Sequence, residues 1–265
     1  MTLSIFDLPQ DQSRERVLLY SGPAVGKSYA VLSLAEYLNE ISPDTTIWVV
    51  DPDRGIQKAW KNEKTDVKIK HIPVNSWEKL EETVDYIGKN HKPGDWVVIE
   101  MIGRFWEMAQ SYVISEVYGS KAGEYLLLAR QKAVQDSKKN QPATMPSVDW
   151  NVVKKLHNDD FIDRILSEWD VNVLITTSAD PLIREFDDPK IMSQFESVGY
   201  KPDGEKRNSH RVDTVMFMTL NAKGRQITTL KDRGRALIAD LDVGNNVWVS
   251  YDAKLREKGF QFLPV

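Results

Sequence analysis

VLLYSGPAVGKSYAVLSLAEYL, residues 17–38, decides how this chain folds. It opens with an apolar run, Val17-Leu18-Leu19-Tyr20, which stops at Ser21-Gly22-Pro23. A short apolar run halted by a Gly-Pro turn reads as a buried strand entering a loop. After Lys27 the period changes: Ala30, Val31, Leu34, Ala35 and Leu38 recur at three- and four-residue intervals, the spacing of a helix face turned to a core. Strand, short loop and helix in that order are the setting of G-x-x-x-x-G-K-[ST], a loop whose backbone cradles phosphates. Gly26, Lys27 and Ser28 supply its second half, but the place of the first glycine is Ser21, and Gly22 comes one position late.

The residues that carry the chemistry of such a loop are nevertheless present. Gly26 lets the backbone approach a phosphate closely, Lys27 can reach β- and γ-phosphates, and Ser28 can coordinate Mg2+. The N–H groups of residues 24 to 28 would face the anion, aided by the positive end of the helix that follows. The expected nucleotide-binding set is therefore Ser21, Gly22, Pro23, Ala24, Val25, Gly26, Lys27, Ser28 and Tyr29. Serine is small, and Gly22 can take up the unusual dihedrals, so the stretch reads as a working site with a relaxed first position. The alternative is a glycine-rich turn with an incidental lysine.

Working outward, IWVVD (47–51) reads as a second strand, VKIKHIPV (67–74) as a third, and WVVIE (96–100) as a further buried one. A helix is expected from Ser76 to Lys89 with Ser76 as its N-cap. Residues 103–169 are mostly helical in pattern, interrupted by the polar stretch DSKKNQPATMPSVD (136–149). VNVLITTSADP (171–181) is another core strand, and YKPDGEKRNSH (200–210) is polar enough to be disordered in isolation. Strands apolar on both faces and separated by helices indicate a parallel sheet covered on both sides. RVDTVMFMTLNAKGRQITTLKDRGRA (211–236) instead places two strand-like runs around Asn221-Ala222-Lys223-Gly224, a β-hairpin. The expected fold is α/β, a mainly parallel sheet flanked by helices with an antiparallel C-terminal hairpin.

Strand ends supply the acids that such a loop requires. Glu100, after four apolar residues, is the candidate for Mg2+, directly or through water. Asp51 and Asp53 end the second strand, and either can polarise an attacking water. Asp53 is the preferred one, since Asp51 also reads as a turn former before Pro52. Thr176, Thr177 and Ser178 end the next core strand, where hydroxyls can sense a γ-phosphate or simply terminate the strand.

In their order, SGPAVGKS, WVVDPD, WVVIE, VLITTSADP and the hairpin ending TTLKDRGRA resemble the RecA-like (AAA/RecA-type) P-loop ATPases. The likeness runs from about residue 15 to 237. It is greatest to single-domain, phage-encoded nucleotide-binding proteins, some of them recombination ATPases related to the Sak annealing proteins. The resemblance implies ATP and Mg2+ as ligands, with Lys27, Asp53 and Glu100 in catalysis and Thr177 and Ser178 linking nucleotide to a DNA-binding loop. It also implies that Lys231 and Arg233 reach the γ-phosphate of a neighbouring subunit in a ring or filament. Single-stranded DNA would meet segments 136–149 and 183–209, through Lys138, Lys139, Lys201, Lys206 and Arg207. Serine at the first loop position, aspartate for the family's catalytic glutamate and glutamate for its metal-associated aspartate imply slow or altered hydrolysis.

Composition narrows the remainder. The chain has 265 residues, 41% of them apolar, enough for one large domain. We divide it into an N-terminal segment (1–16), an ATPase core (17–237) and a C-terminal strand or extension packed on that core (238–265). Cysteine is absent, which removes disulfides and thiolate metal sites and agrees with a reducing cytoplasm, a host's if the chain is phage-encoded. No apolar run reaches membrane-spanning length, and residues 1–16 lack a signal pattern, so no membrane partner is expected. The net charge of −4 argues against a surface that coats nucleic acid generally, though not against a local basic strip. Two rival readings stay open, a nucleotide-gated assembly protein with little hydrolysis and a small-molecule kinase.

Overall fold

The structure, a computed structural model of the chain, describes residues 14–60, 68–136 and 144–263. Residues Lys138 and Lys139 and the start of the N-terminal segment lie outside these, as does Val67 of the expected third strand. In chain order the elements are β1 (Arg16–Ser21), α1 (Lys27–Ile41), β2 (Ile47–Asp51), α2 (Gly55–Trp60), β3 (Ile69–Pro73), α3 (Trp77–Asn90) and β4 (Trp96–Glu100). Helices α4 (Ile102–Tyr118), α5 (Ala122–Gln135) and α6 (Ser147–Lys155) follow, then π-helical turns at Leu156–Ile162 and Arg164–Glu168. The chain continues through β5 (Asn172–Pro181), α7 (Pro189–Phe195), β6 (Tyr200–Pro202), α8 (Asn208–Arg211), β7 (Thr214–Asn221), β8 (Gly224–Asp232), β9 (Leu241–Asp242) and α9 (Val247–Glu257).

The strands form one sheet in the order β3-β2-β4-β5-β1-β7-β8-β9, with β6 paired to the end of β5. From β3 to β7 every neighbouring pair is parallel, and β8 and β9 close the edge antiparallel. Both faces of the central strands are buried, as their unbroken apolar runs require. Leu18, Tyr20, Trp48 and Val50 point into the core under α3 and α4. Val17, Leu19, Ile47 and Val49 point into the core under α1 and α9. This is a mainly parallel sheet flanked by helices with antiparallel strands at its C-terminal edge, and the loop strand β1 lies near its centre.

Helix α3 starts where its cap predicts, with Ser76 Oγ accepting from the Lys79 N–H at 3.2 Å. The hairpin turns at Gly224, whose φ of +124° suits glycine. Segment 200–210 departs from its composition. It forms β6 and α8 rather than an unstructured loop, because its polar groups find partners inside the chain. Tyr20 Oη donates to the Tyr200 carbonyl at 3.0 Å, and the buried Glu205 carboxylate accepts from Arg207 N–H at 2.8 Å and Arg211 Nη1 at 3.3 Å. At the other edge, α9 lies on α1, tied by the Trp248 indole donating to the Ala30 carbonyl at 2.7 Å.

The core under α4 contains one titratable group that is costly to charge. His157 is fully buried, edge-on to Trp106 and Phe161 with ring centroids 5.1 and 5.9 Å away. Its Nδ1 faces Asn158 Oδ1 at 3.1 Å, and Nε2 has no partner among the described residues. Burial pushes the imidazole down to about 4, with the Asn158 bond opposing. The unfolded chain protonates near 6.5, so between those values it binds more protons than the native state, and stability falls as pH is lowered. Against a His157→Phe variant, which lacks this group, the native chain should lose roughly 2–3 kcal/mol of unfolding free energy between pH 7 and pH 4. Parallel denaturation curves across that range would show that the buried imidazole does not titrate this way.

Candidate nucleotide site

The loop joins β1 to α1 at the carboxyl end of the sheet, where ligands of open α/β sheets bind. Its backbone turns at Ala24 (φ 59°) and Gly26 (φ 117°), and Gly26 is the N-cap of α1 without a side-chain capping bond. The first N–H groups of a helix have no intrahelical acceptor, so this end is left for an anion. Lys27 folds back over the loop, its Nζ donating to the Ser21 carbonyl at 3.1 Å, the Gly22 carbonyl at 3.0 Å and Ser21 Oγ at 3.3 Å. Ser21 is fully buried, and its hydroxyl in turn donates to the Gly22 carbonyl at 3.0 Å. The residue in the first glycine's place therefore adds an acceptor for the lysine. Burial lowers the Lys27 pKa, and the nearby Glu100 charge opposes the shift.

Ser28, one residue on, meets an acid from across the sheet. Its Oγ donates to Glu100 Oε1 at 2.6 Å, and Thr176 Oγ1 on β5 donates to Glu100 Oε2 at 2.9 Å. Because β5 lies between β1 and β4, with Thr176 in register with both Glu100 and Leu19, the three side chains share one level of the sheet. Glu100 is buried, and burial raises its pKa against the lowering effect of the two hydroxyls. Asp51, also fully buried, pushes it further up. Hydroxyl and carboxylate oxygens suit a hard cation such as Mg2+. Among the described residues no cluster of three or more His, Cys, Asp or Glu side chains is disposed to hold a metal. A cation at Ser28 and Glu100 would complete its shell with waters and phosphate oxygens, as Mg2+ ordinarily does.

Two residues that the sequence did not mark shape this space. A Cβ on Gly55 would lie 3.3 Å from Ser28 Oγ and 3.9 Å from Glu100 Oε1, so the start of α2 passes close over the pair and a side chain there would crowd Ser28. His71 on β3 holds Asp51, with Nε2 3.0 Å from Oδ2. Asp51 also accepts from the Asp53 N–H at 2.9 Å and the Ile56 N–H at 3.2 Å, which makes it the organiser of the loop that carries Gly55. Burial pushes the Asp51 pKa up, but these bonds outweigh it and leave it lowered. Asp53, the preferred catalytic carboxylate, is half exposed and sits 3.6 Å from Arg104 Nε.

The remaining expected residues are dispersed. Thr177 is buried and its hydroxyl donates to the Asp203 carbonyl at 3.0 Å, joining β5 to the segment after β6. Lys201 is ion-paired with Asp187, and Lys206 and Arg207 are exposed. Lys231 and Arg233 lie at the opposite end of the sheet. The register runs Ser21–Met218–Ile227 at the loop end and Leu18–Val215–Lys231 toward the other, so Lys231 stands roughly 10 Å below the loop at about 3.3 Å per residue. Its Nζ donates to the carbonyls of Ser209 at 3.1 Å, His210 at 3.2 Å and Val212. Arg233 is 64% exposed and pairs with Asp213 at 2.9 Å.

No family model and no curated protein matches the chain. Among solved structures it is similar to a DnaB-like replicative helicase described with its interactions with primase, at 12% identity and a TM-score of 0.48, over 85% of this chain and 54% of that one. The chain thus spans about half the helicase's length. It is also similar to a KaiC-like protein from the hyperthermophilic archaeon Pyrococcus horikoshii OT3, at 15% identity and a TM-score of 0.45, over 87% of this chain and 86% of that one.

A buried acid whose pKa is raised destabilises the fold once it ionises. Glu100 costs nothing below its unfolded pKa near 4.3 and progressively more as pH rises above it. Glu100→Gln should therefore raise the unfolding free energy of the ligand-free protein by about 1 kcal/mol at pH 8, and by less at pH 5. Denaturant titrations at the two pH values check this. A variant less stable than the native chain at pH 8 would contradict it.

Proposed function

We propose that this chain binds ATP with Mg2+ at the β1–α1 loop, hydrolyses it slowly, and does so between copies of itself while acting on DNA. The observation that carries the reading is the bond from Ser28 Oγ to Glu100 Oε1. It joins the residue after the loop lysine to an acid from a strand that is not its neighbour. Lys27, Ser28 and the N–H groups from Ala24 onward would bind and orient the triphosphate, and Ser28 and Glu100 would hold Mg2+. Held by Ser28 and Glu100, a bound Mg2+ would supply positive charge to offset the negative charge that develops on the phosphate oxygens in transfer. Thr176 keeps the Glu100 carboxylate turned toward Ser28, and Gly55 leaves room for the ligand above the pair.

Asp53 is our candidate for orienting the attacking water, with Asp51 fixing the loop beneath it. Lys231 and Arg233 stand too far from their own loop to serve it, which supports a role toward a second copy in a ring or filament. Arg233 suits that role better, being exposed, while Lys231 already has three carbonyl partners. A basic group supplied in trans is worth about 1,000-fold or more in phosphoryl transfer. DNA as the partner, in recombination, replication or repair within a phage-infected cell's cytoplasm, rests on the family resemblance. The exposed Lys206 and Arg207 near Thr177 agree with it.

One observation favours a second reading, a nucleotide-gated assembly protein. The Asp53 carboxylate is ion-paired with Arg104 rather than standing free over the loop. Mixing separates the two. Lys27→Ala and Arg233→Ala chains should each lose ATPase activity by roughly 100-fold or more. An equimolar mixture should recover a measurable fraction, since one intact site can form where an Arg233 faces an intact loop. If Arg233→Ala alone keeps native turnover, the shared site is wrong. ATP-dependent assembly with no turnover in any sample would favour the second reading.

A further inference from the structure

The C-terminal part of the chain reaches the back of the phosphate loop through one side chain. Arg225 leads β8 out of the hairpin turn, and its Nε donates to the Val25 carbonyl at 2.9 Å. Its guanidinium lies over the Tyr29 ring at 4.7 Å, and Nη1 donates to Asn245 Oδ1 at 2.6 Å and toward the Gly244 carbonyl at 3.4 Å. A Cβ on Gly26 would meet Arg225 Nε at 2.5 Å, so the guanidinium occupies the space where a side chain at the loop's crest would stand. One turn further along α1, the Trp248 indole holds the Ala30 carbonyl. The loop is thus held by Arg225, which is itself held by Gly244 and Asn245, while Trp248 of the same segment holds α1.

We infer that Arg225 is a positioning residue for nucleotide, and that it makes the set of the phosphate loop depend on the C-terminal segment at Gly244 and Asn245. The inference rests on the nucleotide reading of the loop and goes beyond it, assigning a role to the hairpin and to residues 238–265. A guanidinium that binds a backbone carbonyl, an aromatic face and a second segment at once fixes three parts together, which a lysine ammonium does not. The loop carbonyl it holds precedes Gly26, so it sets the peptide plane whose N–H would face the anion. Without that bond the loop keeps its sequence but loses part of its preorganisation, and binding weakens.

The test uses the full chain and four variants: Arg225→Ala, Arg225→Lys, Asn245→Ala and the Arg225→Ala/Asn245→Ala double. Two readouts are taken, the dissociation constant for Mg–ATP and amide hydrogen exchange of residues 22–28 without nucleotide. Arg225→Ala should weaken Mg–ATP binding roughly tenfold, in keeping with a charge-assisted bond. It should also speed exchange in the loop, with Arg225→Lys in between. Asn245→Ala should shift both readouts in the same direction, and the double variant should be no worse than Arg225→Ala, since both act through one contact. Native binding and native exchange in Arg225→Ala, or effects that simply add in the double variant, would overturn the inference. If the native chain itself binds no ATP, the nucleotide reading falls and the role in binding falls with it. Loop exchange in the variants then decides the grip independently.

Discussion

Two buried charges of opposite sign stand at the carboxyl end of this sheet, and among the described residues neither has an ion-pair partner. Lys27 is surrounded by neutral oxygens of Ser21 and Gly22, and Glu100 by the hydroxyls of Ser28 and Thr176. Removing a charge from water without an opposite charge beside it is expensive. Burial depresses the lysine and raises the acid accordingly. The fold sustains this because the surrounding parts are fixed by packing: β1, β5 and β4 are parallel with buried centres, and their register sets Thr176 beside Glu100. A triphosphate with its cation would complete both charges at once. That mutual need is the physical basis for reading the site as one that binds such a ligand.

The sheet also separates two chemistries by its length. Its carboxyl end bears the loop, Glu100, Thr176 and the Asp51–His71 pair. The other end bears Lys231, Arg233 and the buried group formed by Arg235 with Glu15 and Asp232, at 2.8 and 2.7 Å. That group anchors the turn after β8 to the chain before β1, and Tyr251 of α9 adds a 2.5 Å bond to Asp232. The exposed Arg233 is therefore presented on a rigid base rather than on a loose loop. Such anchoring agrees with the proposed role of Arg233 toward a second copy, which needs a fixed geometry.

Much of this was legible in the sequence because it depends on local pattern. The change from an apolar run to helical spacing after Lys27 located β1, the loop and α1, and Ser76 located the start of α3. Glu100 was legible too, since an acid ending a fully apolar strand has few structural reasons to be there. What could not be read depends on register between distant strands. Nothing near Thr176 in the chain marks it as the partner of Glu100, and only the insertion of β5 between β1 and β4 makes it so. Gly55 looks like an ordinary turn glycine until the loop after β2 is laid across Ser28. Asp51 was set below Asp53 because Pro52 follows it, whereas His71, twenty residues on and one strand over, makes it the buried organiser. Segment 200–210, polar enough to be disordered alone, is ordered in the fold for the same reason: its polar groups are satisfied by partners on β1, α8 and the turn before it.

The claim on which the account stands is that a loop with serine in its first position still takes a nucleotide. Calorimetric titration of the native chain with ATP, in the presence of Mg2+ and again with the metal chelated, tests it most directly. Saturable binding at one nucleotide per chain is expected, weakened when Mg2+ is removed because Glu100 is then left without its cation. Absence of binding under both conditions, from a chain shown to be folded, would mean that Lys27 and Glu100 are buried for some other reason and that the loop is not a nucleotide site.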